Sequence, residues 1–151
     1  MMKAETSSHP ILSYADSVAA NMSDSLLLVG RILIASVFVL TAWGGSPNVE
    51  YITALGLSNP EFWSALAVTV EWIIRATLVL GVATRYGAIL AFLYVVIATV
   101  LAHRYWQYPA AQQTVQYIFG TKNFSILGGI LTLFIVGPGR RSFDSIFARR
   151  S

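Results

Sequence analysis

Cysteine is absent from all 151 residues, which rules out disulfides, thiol nucleophiles and thiolate metal sites within the chain. Charge is scarce: Asp, Glu, Lys and Arg together make up 11% of the residues, where a soluble domain carries about 25%. Of the two histidines only His103 lies in an apolar stretch, so a bis-histidine haem held by one chain is excluded. No Walker loop, dinucleotide fingerprint or nucleophile elbow occurs, and no His/Asp/Glu cluster has metal-ligand spacing. No cofactor or metal site is therefore expected in the chain itself. No internal repeat stands out.

What is present is apolar. Hydrophobic residues make up 56% of the chain, more than a single domain of this size can hide behind its own polar shell. Lipid must cover the excess. Apolar runs fall at about 25–43, 62–81, 86–103 and 122–137. A spanning helix needs about 20 residues, so the first three fit, while the fourth is short and implies local thinning or burial of its end. The expected fold is thus an all-α polytopic membrane protein. It has a short N-terminal segment (1–24), a four-transmembrane-helix bundle (25–139) and a basic tail (140–151). The N-terminal segment has weak periodicity and is left unassigned. No cleavable signal peptide is read, because the first apolar run follows about two dozen mostly polar residues and no A-x-A-like site follows it.

The breaks between runs have clear chemistry. Gly44-Gly45-Ser46-Pro47-Asn48 cannot continue a helix. Ser58-Asn59-Pro60-Glu61 reads as a turn, with Asn59 as N-cap and Pro60 at the first helical position. Gly81-Val82-Ala83-Thr84-Arg85 is a tight link, and Gly137-Pro138-Gly139 stops the fourth run. In the tail, Phe143, Ile146 and Phe147 share one helical face, as in a short C-terminal amphipathic helix. Gly87 with Ala91, and Ser125 with Gly129, have the small-xxx-small spacing of packed membrane helices.

Charge placement sets an expected orientation. With four spans the termini and the second link share one side, which holds Lys3, Arg85, Arg140, Arg141, Arg149 and Arg150. The opposite loops hold Arg104 and Lys122 with Glu50 and Glu61, and an aromatic belt of Trp43, Trp63, Tyr105, Trp106 and Tyr108. The positive-inside rule then places both termini in the cytoplasm. The net charge of +3 suits anionic headgroups, and without a continuous basic stripe no nucleic-acid partner is expected.

Ionisable groups inside the runs are costly, roughly 2.5–3.5 kcal/mol each on insertion scales, so they need partners or a wet cavity. Arg31, Glu71 and Arg75 form one expected intramembrane charge cluster. Glu71 and Arg75 are one turn apart, and Arg31 lies at a depth from which it reaches Glu71 across antiparallel helices. Such a cluster serves either as a structural tie or as a mid-membrane proton or ligand site; the tie is preferred, since no route for protons or substrate is visible. A second cluster, His103, Lys122, Asn123, Trp106 and Trp43, gathers at the outer helix ends. It offers donors between aromatic walls that suit an anion or a quinone carbonyl, or else interfacial anchors.

These residues carry a family resemblance. Gly30-Arg31, Val70-Glu71, Leu80-Gly81-Val82-Ala83-Thr84-Arg85, Ala102-His103, Trp106, Lys122-Asn123 and Gly137-Pro138-Gly139-Arg140-Arg141-Ser142-Phe143-Asp144 occur in the order and spacing of the DoxX family of small four-helix membrane proteins. The resemblance covers about Leu27 to Asp144. Two features depart from it: the family's Gly-Lys pair after the first helix is Gly44-Gly45-Ser46-Pro47 here, and its Gly pair after the glutamate is Arg75-Ala76. The family is similar to the small DoxD subunit of thiosulfate:quinone oxidoreductase, and some members are implicated in membrane redox complexes. The resemblance implies a protein of the bacterial inner membrane, an accessory subunit that docks a redox-protein partner or forms a homo-oligomer, in contact with quinone. Alternatives are a self-contained quinone-linked oxidoreductase of a small sulfur compound, and a structural or chaperone-like membrane protein.

Overall fold

The computed structural model describes residues 10–43 and 47–148, and among these the side chains of all but 10–12 and 41–43. The described chain is helical. Four long helices, α1 (Pro10–Trp43), α3 (Pro60–Leu80), α4 (Thr84–Ala102) and α5 (Ala110–Val136), are joined by a short α2 (Val49–Ala54), a 3-10 turn (Tyr105–Gln107) and a final α6 (Phe143–Ala148). Each long helix is long and apolar enough to cross a membrane. They form a closed ring in which α1 adjoins α3 and α5, and α4 adjoins α3 and α5. The core on its axis is Ala35, Phe38, Ile74, Leu78, Ala88, Ala91, Val95, Ile130 and Leu133.

The outside of the bundle is as apolar as its core. Leu40 is 67% exposed, Phe124 69% and Ile135 72%, values that are stable only against lipid tails. This is the expected four-helix membrane architecture.

Two helices start earlier than their apolar runs. α1 begins at Pro10 rather than near 25, and α5 at Ala110 rather than near 122. Polar residues such as Gln112, Gln113 and Gln116 dilute the hydropathy of the early part of α5. No proline interrupts it between Pro109 and Gly137, so the backbone ladder propagates regardless. The fourth span is then about 40 Å long at 1.5 Å per residue, and no bilayer thinning is required. Lys122 consequently lies in the middle of a helix, not at its start.

Caps follow local chemistry unevenly. Asn48 caps α2 by accepting from the Tyr51 amide at 2.8 Å. Asn59 stands at the start of α3 but takes the left-handed conformation (φ 55°) and makes no side-chain cap bond; Pro60 does occupy the first turn. Of the small residues expected at helix contacts, Gly87 lets α4 close onto Thr77 of α3, Ala91 is fully buried and Gly129 faces Ile34 of α1. Ser125 is exposed and takes no part.

The end of the bundle that carries the termini is knotted around the α3–α4 turn. Gly81 adopts φ 69°, and a Cβ there would collide with the Arg31 guanidinium and with Ser142, so only glycine fits. Arg31 is fully buried and donates Nη2 to the Arg141 carbonyl at 2.5 Å. Ala83 is held at φ 47°, a strained region for a residue with a Cβ. Asp144 offsets that strain by accepting from the Ala83 amide at 2.7 Å and the Thr84 amide at 2.9 Å, while its own amide donates to the Gly81 carbonyl at 2.9 Å. Arg85 closes the same end by donating Nε to Phe134 O at 3.1 Å and Nη2 to Ile135 O at 3.3 Å, the last carbonyls of α5.

Asp144 is the anion of this knot. Partial burial tends to raise its carboxyl, but the bonds from Thr84 and Ala83 and the facing Arg31 charge outweigh it and hold it below the 3.8 of a free carboxyl. A carboxylate depressed in the folded state stabilises above its unfolded pKa and loses that contribution as pH falls through the folded one. Asp144→Ala should cost about 1–2 kcal/mol at neutral pH, by the loss of two cap bonds. The gap in detergent melting temperature between wild type and variant should narrow as pH drops below about 4. A gap independent of pH would remove Asp144 from this role.

Candidate functional site

The α3–α4 hairpin brings its polar residues into register. Glu71 lies eleven residues before Val82 and Tyr94 twelve after it, so antiparallel packing sets them side by side. The Tyr94 hydroxyl donates to Glu71 Oε1 at 2.7 Å, and Arg75 Nη2 donates to Glu71 Oε2 at 2.5 Å. Arg75 Nε reaches across to the Phe38 carbonyl of α1 at 2.9 Å, and its guanidinium lies 4.9 Å from the Trp72 ring centre. Phe38 meets Tyr94 edge-on at 5.9 Å. Glu71 and Arg75 are 3% and 5% exposed, so this network ties α1, α3 and α4 together inside the bundle.

The expected three-residue cluster is therefore a pair plus a separate arginine. Arg31 does not join Glu71: its guanidinium packs at Gly81, ten residues and about 15 Å along α3 from the carboxylate. It enters α1 too close to the terminal end, and the C-terminal segment folds back to meet it.

Next to the Glu71 network lies a cavity of about 350 Å³ between α2, α3 and α4. Its walls include Val70 and Leu90 near the inner end, Ala98 along the side, and Tyr51 and Trp63 at the rim. Tyr94 is the wall residue that also belongs to the Glu71 network. The Ser64 hydroxyl donates to the Pro47 carbonyl at 2.7 Å, fastening the segment that leads into α2 against α3 at the mouth. Nearly all the lining is aliphatic or aromatic, as in pockets that take apolar ligands.

The second expected cluster is brought together only in part. His103 follows the end of α4, its Nδ1 2.9 Å from Gln116 Oε1 and its ring 5.9 Å from Phe119. Lys122 Nζ sits 4.2 Å over the same Phe119 ring. Asn123 turns inward and donates to Thr99 Oγ1 at 2.8 Å. Trp106 stays apart, edge-on to Tyr105 at 5.2 Å and 64% exposed. The Trp43 side chain lies outside the described residues. His103 and Asn123 thus have hydrogen-bond partners within the protein.

Tyr94, Gln116 and the Phe38 carbonyl were missed from sequence. Hairpin symmetry about Val82 was the available signal for Tyr94, a hydroxyl in an otherwise apolar run opposite a glutamate. No signal pointed to a backbone carbonyl as the partner of Arg75.

Comparison with known proteins gives the chain its family. The DoxX family profile matches residues 26–104, which include Arg31, Glu71, Tyr94 and the Gly81 turn. The chain belongs to the DoxX family. It is similar to the inner membrane protein YphA of Escherichia coli (strain K12), at 34% identity over 88% of this chain and 96% of the relative. It is also similar to the inner membrane protein YqjF of the same organism, at 27% identity over 85% of this chain and 97% of the relative. No solved structure gives a significant match. This DoxX-family chain is a multi-pass inner membrane protein, as its four apolar helices and these relatives agree.

Breaking the buried pair leaves a charge without its counter-ion, which typically costs 3–5 kcal/mol, while replacing both partners costs much less. Glu71→Gln and Arg75→Met should each lower stability by about 3 kcal/mol in denaturant titrations of the detergent-solubilised protein. The double variant should lie closer to wild type than either single one. Penalties that simply add would mean that the two charges are not coupled.

Proposed function

We propose that this DoxX-family protein is an accessory membrane subunit of a redox complex, and that the bundle holds a quinone-type molecule for a protein partner. The observation that carries this reading is the 350 Å³ apolar cavity adjoining the Tyr94–Glu71–Arg75 network. A lipid-soluble ring enters apolar walls at little cost, and a polar group at the inner end gives it an orientation. The chain itself supplies no electron carrier in this reading, so electrons pass between the bound molecule and the partner. A second reading, a purely structural bundle, is favoured by the way Arg75 links α3 to α1 through Phe38 O.

The test is native mass spectrometry of the tagged protein, gently extracted from its own membrane. Wild type should carry a quinone or a redox protein, and Ala98→Phe, which fills the cavity, should lose the quinone several-fold. A wild-type bundle that carries phospholipid alone would overturn the proposal in favour of the structural reading.

In this reading both termini face the cytoplasm, where a soluble partner docks. Support comes from the side chains of Arg85, Arg140 and Arg141, which share the terminal end with Arg31. Because the chain has no cysteine, single introduced thiols report on this directly. A membrane-impermeant maleimide should label Gln112→Cys in intact cells that expose the outer face of the inner membrane, and should not label Ser151→Cys. The reverse pattern would invert the bundle.

A further inference from the structure

The cavity has a polarity at its two ends that restricts what can enter it. At the rim, Tyr51 and Trp63 are 37% and 41% exposed, facing the lipid boundary. At the inner end, beside Val70 and Leu90, Tyr94 is the lining residue with a polar atom. Its one hydroxyl hydrogen is committed to Glu71 Oε1 at 2.7 Å. A phenol has one donor and two acceptor lone pairs, so the Tyr94 oxygen can still accept but has no hydrogen left to give. Glu71 stands behind Tyr94 and does not itself line the cavity; its two oxygens accept from Tyr94 and Arg75. The inner end therefore presents one acceptor, the Tyr94 oxygen, to any molecule that reaches it.

A ketone, ether or ester head brings acceptors against acceptors, and gains nothing there. A charged head is excluded by the cost of leaving water for these apolar walls. A neutral hydroxyl satisfies both conditions. We infer that this cavity selects a lipid-soluble molecule bearing a hydroxyl donor, which enters head first and donates to the Tyr94 oxygen while its apolar body lies between α3 and α4. The inference rests on the cavity being the ligand site of the proposed function, and it names the chemical class. A reduced quinone (a quinol) and an isoprenoid alcohol are two sources of this same chemistry.

The experiment measures binding to the full-length protein in detergent, using two matched probe pairs. One pair is farnesol and farnesyl methyl ether; the other is a short-prenyl benzoquinol, kept reduced, and its quinone. Within each pair the prenyl body is the same and the hydroxyl donor is replaced by an acceptor, an ether oxygen in one pair and carbonyls in the other. In wild type the hydroxyl member of at least one pair should bind about tenfold more tightly, consistent with one well-placed hydrogen bond in an apolar site. Tyr94→Phe should erase that preference, and Ala98→Phe should abolish binding of both members.

Equal affinity within both wild-type pairs overturns the inference; if Ala98→Phe still abolishes that binding, the cavity remains a ligand site and the proposed function survives. Binding that Ala98→Phe does not touch, or no binding at all, overturns both. A preference for farnesol over its ether without one for the quinol supports the hydroxyl class and removes the quinone reading. A preference for the quinol supports both. A preference that persists in Tyr94→Phe overturns the assignment of Tyr94. The wild-type ratios stand on their own even where Tyr94→Phe fails to fold.

Discussion

Hydrocarbon offers no water to a buried charge or an unpaired amide, so the stable partners of a polar group in this protein are those it finds within the chain. The whole arrangement can be read from that constraint. Glu71 is held by Arg75 and Tyr94, and Arg75 in turn takes the Phe38 carbonyl of α1. Each of these bonds crosses from one helix to the next or closes a turn within one. The cost of burying the charges is thereby converted into a defined set of helix neighbours.

The same constraint operates at the terminal end through backbone as well as side chain. A turn as tight as 81–83 places amides and carbonyls near apolar helices, with one residue, Ala83, in a conformation it would not choose alone. Asp144 supplies the acceptors and Arg31 the balancing charge, and Arg31 and Ser142 require Gly81 to stay bare. Residues from the first helix, the middle hairpin and the C-terminal segment are thus mutually dependent. The distal end is built differently, from rings: Phe119 meets His103 and Lys122, and Tyr105 meets Trp106 and Tyr117. One end is locked by charge, the other sealed by aromatic surface. Between them lies the α2–α3–α4 cavity, with Tyr94 of its wall bonded to the buried Glu71.

This division bears on function. A structural tie alone would be satisfied by Glu71 and Arg75 on one helix with the Phe38 carbonyl. Tyr94 adds a link from that tie to the wall of the cavity. At the terminal end, by contrast, cationic side chains and the exposed face of α6 (Phe143, Ile146 and Phe147) lie together.

The amino-acid sequence by itself determined the membrane class, the number of spans and the α3–α4 turn, because these follow from local quantities: run length, scarcity of charge, and glycine and proline at the breaks. It also determined the Glu71–Arg75 pair, which needs only helical spacing. It placed the starts of α1 and α5 too late, since hydropathy reports what a segment buries and not whether its backbone continues as a helix. Only the tertiary structure decided where Arg31 goes. Its depth in α1 permitted Glu71, but the C-terminal segment returns to Gly81 and offers the Arg141 carbonyl, and no spacing rule foresees a contact between residues 110 positions apart. The cavity likewise has no signature in sequence, because a void is a property of how three helices fail to fill the space between them.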